Sequence, residues 1–87
     1  MKVVHKFSLE VNDELQTLRL PALARVVHCG IQDDVIRLWI EYPYPSEASI
    51  SRHFRVFGTG QGITDDMTWV GTVQAPPFVW HVYEVAK

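Results

Sequence analysis

The chain has 87 residues, of which 47% are apolar, 11% aromatic and 21% charged; this suits one folded domain and is too short for two. A net charge of -2 offers no surplus of Lys and Arg to neutralise a phosphate backbone, so nucleic acid is not an expected partner. Arg, Glu, His, Asp or Pro interrupts the apolar stretches every few residues, far short of the roughly 20 apolar residues of a membrane helix, and no membrane partner is expected.

Lys2 and Lys6 flank no long apolar core and no small-residue cleavage site, so no secretory signal is expected and the cytoplasm is the expected location. The single Cys29 has no partner for an internal disulfide, which leaves stability to packing.

Apolar residues recur with period two through most of the chain, and no segment holds an i, i+3, i+4, i+7 stripe. A first strand is predicted from about Lys2 to Leu9, with Val3, His5, Phe7 and Leu9 on the inward face and Lys2, Val4, Lys6 and Ser8 on the other. Asn12 and Asp13 signal a turn, and Leu15 to Leu20 makes a second strand; the pair reads as a hairpin. Pro21 ends that strand, and a third runs from about Ala24 to Ile31, closed by Gln32, Asp33 and Asp34. Val35 to Tyr42 is the clearest strand, in which Ile36, Leu38, Ile40 and Tyr42 alternate with Arg37, Trp39 and Glu41.

The two prolines of Pro43 to Ser49 suit an exposed connection to a strand from about Ile50 to Phe57, read as a further hairpin. After the glycine-rich and acidic stretch Gly58 to Met67, Thr68 to Gln74 and Phe78 to Ala86 form two last strands around Ala75, Pro76 and Pro77. About seven short strands linked by polar turns predict an all-β domain over residues 1–87, a small antiparallel sandwich or partly open barrel. A domain of this size buries on the order of 60 to 65% of its unfolded surface, so Trp69, Trp80, Phe54 and Phe78 are expected to anchor the core.

Five segments carry a resemblance: V-H-K-F at Val4 to Phe7, the stretch Leu18 to Pro21, F-R-V-F-G-T-G at Phe54 to Gly60, W-V-G-T at Trp69 to Thr72, and W-H-V-Y-E-V at Trp80 to Val85. In these the chain resembles, over almost its whole length, a family of short, functionally uncharacterised proteins of tailed bacteriophages and prophages. The resemblance implies a phage accessory protein of the host bacterial cytoplasm, and it supplies no catalytic residue. In that family His-Pro usually follows the G-T-G, whereas Gln61 and Gly62 stand here, so no role for that histidine carries over.

Several residue groups have the chemistry of a candidate site. The loop Gly58-Thr59-Gly60-Gln61-Gly62 has the glycines of an anion cradle, but no Lys and Ser or Thr follow as in a phosphate-binding loop, and Asp65 and Asp66 would repel phosphate. A structural turn is the stronger reading. His5, His28, His53, His81 and Cys29 show no metal-ligand spacing, although His5 and His81 become neighbours if the first and last strands pair, with His28 as a third ligand; half-buried strand histidines are the plainer reading. Asp33 with Asp34, and Asp65 with Asp66, lack the alternate-position oxygens of a calcium loop and read as solvated turns. Cys29 and His28 are neighbours in a strand and face opposite sides, so no activated thiol is expected, and no nucleophile signature appears elsewhere.

The aromatics that fall off the core parity are more informative: Trp39 lies opposite Ile36, Leu38 and Ile40, Tyr44 is in the proline-rich connection, and Tyr83 and Val79 lie opposite Trp80. Surplus aromatic surface suggests a second contact, with another copy or a partner, unless the two faces are locally buried. The leading expectation is a non-catalytic binding module acting on a host protein through Arg37, Trp39 and Tyr44. A second is a small-molecule binder, for instance of a nucleotide-type signal, through Gly58, Thr59, Gly60, Gln61 and Gly62 with Arg55 and Trp69; a third is a minor virion component. An enzyme is the least favoured class, and no metal or cofactor is expected.

Overall fold

The computed structural model describes residues 1–86. The period-two pattern folds into seven strands: β1 (Lys2–Leu9), β2 (Gln16–Pro21), β3 (Arg25–Gln32), β4 (Val35–Pro43), β5 (Ser49–Gly58), β6 (Met67–Ala75) and β7 (Phe78–Val85), with no helix among the described residues. They form two antiparallel sheets, one ordered β1-β4-β3 and the other β2-β5-β7-β6. The expected all-β class holds: the strands divide between two sheets as in a sandwich and form no closed barrel. The 16 Å short dimension of the molecule is what two sheets about 10 Å apart produce.

Two expected hairpins are absent. β1 pairs with β4 and β2 with β5, so the chain crosses from one sheet to the other after β1, after β2 and again after β4. Alternation alone gives the inward faces of β1 and β2 correctly, but it is satisfied equally by neighbours in one sheet and by partners facing each other across the core. The first crossing is fixed by Gln16, whose carboxamide accepts from the Glu10 amide at 2.7 Å and donates to the Glu10 carbonyl at 2.7 Å. The turns expected after β3 and β6 instead close hairpins, β3 pairing with β4 and β6 with β7. Asp33 and Asp34, at φ 54° and 63°, make the two-residue left-handed turn whose twist matches that of the flanking strands.

The core joins Leu9 of β1, Leu20 of β2, Ile36, Leu38, Ile40 and Tyr42 of β4, Phe54 and Val56 of β5, Val73 of β6 and Val82 of β7. Burial of each large apolar side chain stabilises by about 1.5–3 kcal/mol. Of the four expected anchors, Phe54 is fully buried and Trp80 packs half-buried against the core, but Trp69 is 59% exposed and Phe78 57% exposed. A bulge at Val70 puts Gly71 opposite Val82 on the inner face and leaves Trp69 beside Tyr83 on the outer one. Phe78 opens β7 at its hairpin end, where its ring stacks on Trp80 at 5.4 Å.

One end of the sandwich is clasped by a half-buried ion pair. The Arg52 Nε and Nη2 donate to the two Glu84 oxygens at 2.6 and 2.7 Å, while Nη1 reaches the Ala24 carbonyl at 2.7 Å. The hydrogen bond that Arg52 donates to Glu84 raises its already high pKa further.

Candidate functional site

β4 is the central strand of its sheet, so its outward residues Arg37, Trp39 and Glu41 form a row with a neighbour on each side. On one side β1 sets Lys6 opposite Trp39 and Ser8 opposite Arg37; on the other β3 sets His28 opposite Trp39, Gly30 opposite Arg37 and Arg25 opposite Glu41. A bulge at Val27 restores His28 to the outer face after Val26 has faced inward. The His28 and Trp39 rings lie 5.3 Å apart. Gly30 makes this possible, because a Cβ there would come within 2.8 Å of His28 Nε2.

This face is electropositive. Lys2, Lys6, Arg25 and Arg37 give four positive charges against one from Glu41, a balance of +3, and the rest of the chain therefore carries -5 of the total of -2. Glu41 is shared between Lys2 at 3.4 Å and Arg25 at 3.5 Å, both exposed contacts of little energetic weight. Lys6 and Arg37 meet only neutral acceptors: Lys6 Nζ donates to Gln32 Oε1 at 2.5 Å, and Arg37 donates to Ser8 Oγ at 2.5 Å and to the Gln32 carbonyl at 3.4 Å. Neither takes part in an ion pair among the described residues.

At one end of the row an open groove of about 370 Å³ is lined by Lys2, Leu23, Arg25, Glu41, Tyr42 and Pro43. Leu23 forms its lip. It sits in the turn closed by the Ala24 amide on the Pro21 carbonyl, at φ 66°, and is 83% exposed. A leucine in the left-handed region costs about 1 kcal/mol relative to residues suited to it, and this one recovers nothing by burial.

Of the residues expected to meet a partner, Arg37 and Trp39 stand side by side in the row, and Tyr44 follows the groove residue Pro43 and is 52% exposed. Lys2, Lys6, Arg25 and Leu23 belong to the same surface and were not expected there. The parity of β1 did put Lys2 and Lys6 on an outward face, but only the strand order shows that this face is the one that bears Trp39.

The other expected site is arranged differently. In the loop after β5 the Gly58 amide donates to Gln61 Oε1 at 2.5 Å and the Gln61 amide to the Gly58 carbonyl at 3.3 Å, so the loop closes on itself. Gly60 takes the turn at φ 94°, and no neighbour approaches Gly62. Thr59 meets His81 Nε2 at 2.9 Å, and His81 Nδ1 meets Thr72, which accepts from Trp69 Nε1 at 3.1 Å. Arg55 turns away toward the first crossing, donating to the Asp13 carbonyl at 2.6 Å with its guanidinium 5.3 Å from the Phe57 ring centre. Arg55, Thr59 and Trp69 thus share the outer face of the four-stranded sheet, held by internal contacts.

The histidines are dispersed. β1 and β7 lie in different sheets, so the expected approach of His5 to His81 does not occur: His5 Nδ1 meets the Tyr42 hydroxyl at 2.7 Å, and His53 meets Thr17 at 2.9 Å. Among the described residues no three His, Cys, Asp or Glu side chains cluster. Cys29 faces inward, opposite in sense to His28, and is half-buried, with burial pushing its thiol up to about 11.

The full length, residues 1–87, matches a family model described as Domain of unknown function (DUF7352). Comparisons with curated proteins and with solved structures each gave no significant match.

Proposed function

Since the chain belongs to the DUF7352 family, whose description assigns no activity, we propose its role from the surface it presents: a non-catalytic module that binds an acidic protein surface through the outer face of β1, β4 and β3. The observation that carries this reading is the uncompensated charge of Lys6 and Arg37 around a half-exposed Trp39, with the apolar lip of Leu23 at the end of the row. Aromatic and Arg side chains ringed by charge are the usual make-up of a protein contact, and opposite potentials speed and orient association. A polyphosphate partner is less well matched, because the carboxylates elsewhere on this small chain repel it. The resemblance to phage and prophage proteins supports a host protein as the partner and the host cytoplasm as the place of encounter.

Native mass spectrometry of the protein purified from bacterial cells tests this. The expected result is a retained acidic protein that is lost in Trp39→Ala and on raising the salt, while the thermal melt of the variant stays near that of the parent. Retention that survives Trp39→Ala together with Arg37→Glu refutes it, and a retained nucleic acid would transfer the face to another class of partner.

A further inference from the structure

The four sheet edges are unequal. β3 is bulged at Val27, β6 is bulged at Val70, and β2 is six residues long and ends in Pro21, all features that discourage pairing. β1 is eight residues long and pairs with β4 in unbroken register, with neither bulge nor proline.

The direction of its free backbone groups follows from the register. The Tyr44 amide donates to the Met1 carbonyl at 2.9 Å, one step beyond the pairing of Lys2 with Pro43. Residues 1, 3, 5, 7 and 9 therefore bond to β4, while Lys2, Val4, Lys6 and Ser8 turn their N–H and C=O groups to the open edge. Val3 and Phe7, on the core parity, are only half-buried.

We propose that β1 pairs antiparallel with β1 of a second copy of this chain, about a two-fold axis at His5. In this register Val4 exchanges backbone hydrogen bonds with Lys6 of the second copy, and Lys2 with Ser8. Val3 then stands opposite Phe7 in a non-hydrogen-bonded pair, where side chains approach most closely, and the two half-open apolar residues cover one another. Lysine placement and overlap together select this register, since a centre at Val3 or Phe7 also keeps the lysines apart but pairs less of β1. A centre at Val4 would set Lys2 against Lys6, and a centre at Lys6 would set Lys6 against itself; a centre at His5 opposes no two lysines. The same lysines discourage other chains from using the edge.

Sedimentation equilibrium of the full chain and three variants decides the matter. Val4 is half-exposed and its replacement leaves the core intact. Val4→Glu places a carboxylate opposite Lys6 twice per dimer and is expected to tighten association about tenfold, whereas Val4→Lys places like charges there and is expected to loosen it by a similar factor. Val4→Pro removes a free edge donor without breaking a bond to β4 and is expected to give a monomer. The proposal is overturned by a parent chain that stays monomeric at its solubility limit, or by a dimer indifferent to Val4→Glu and Val4→Lys. A dimer loosened by both changes also overturns it, since that pattern belongs to a centre at Val4.

Discussion

Gly71 of β6 and Cys29 of β3 meet across the sandwich: a Cβ at residue 71 would lie 2.6 Å from the Cβ of Cys29 and 3.2 Å from its Sγ. The two sheets approach so closely at this edge because one of the pair has no side chain. Gly71→Ala is expected to lose about 1–3 kcal/mol in urea unfolding, the usual penalty for overpacking. In the double variant with Cys29→Gly much of the strain term should disappear, so the two changes should be non-additive; additivity would place the strain elsewhere.

The Cys29 thiol gives a pH dependence with a definite sign. In the fold it stays neutral up to about 11, whereas in the unfolded chain it ionises near its ordinary 9.0. Its contribution to stability is complete below pH 9 and declines between about 9 and 11 as the unfolded state alone loses the proton. Stability measured against pH should fall more steeply there in the parent than in Cys29→Ala, and at pH 8 alkylation of the native thiol should be slower than that of the unfolded chain.

The Arg52–Glu84 clasp ties β5 to β7 and, through the Ala24 carbonyl, to the turn before β3. Glu84→Ala leaves the guanidinium with half its partners and should cost about 2 kcal/mol. Arg52→Lys should recover little, because a single ammonium cannot bridge both carboxylate oxygens and reach the carbonyl as well. Chemical denaturation of the two variants is the measurement.

Leu23 separates stability from binding. Leu23→Asn places a residue tolerant of positive φ in the turn and should raise stability by about 0.5–1 kcal/mol. On the proposed reading it should also weaken retention of the acidic partner, because the exposed lip of the groove is lost. A variant that is both more stable and fully retentive would remove Leu23 from the contact.

Strand positions and faces were legible in the sequence because side chains alternate with period two, and Ile36 to Tyr42 displays that alternation without a break. Partnership was not. Whether β1 lies beside β2 or across from it depends on the crossing held by Gln16, and nothing in the local pattern of Leu9 to Leu15 distinguishes the two. The bulge at Val70 shifts parity by one residue and turned a predicted core tryptophan, Trp69, outward. The candidate site was half legible for the same reason: Arg37 and Trp39 share a strand, whereas Lys6, Arg25 and His28 reach them only through the pairing of three strands.

The order of the four-stranded sheet bears on how the chain is completed during synthesis. β6 lies at the edge and β7, made after it, enters between β5 and β6. Until Phe78 to Val85 has left the ribosome, β5 and β6 have no hydrogen-bonded link, and the inner face of that sheet lacks Val82. A stop codon before Phe78 would therefore remove the middle of the sheet and leave two unpaired edges, a form exposed to aggregation and proteolysis. The nascent chain can close this sheet only after β7 is free to enter it.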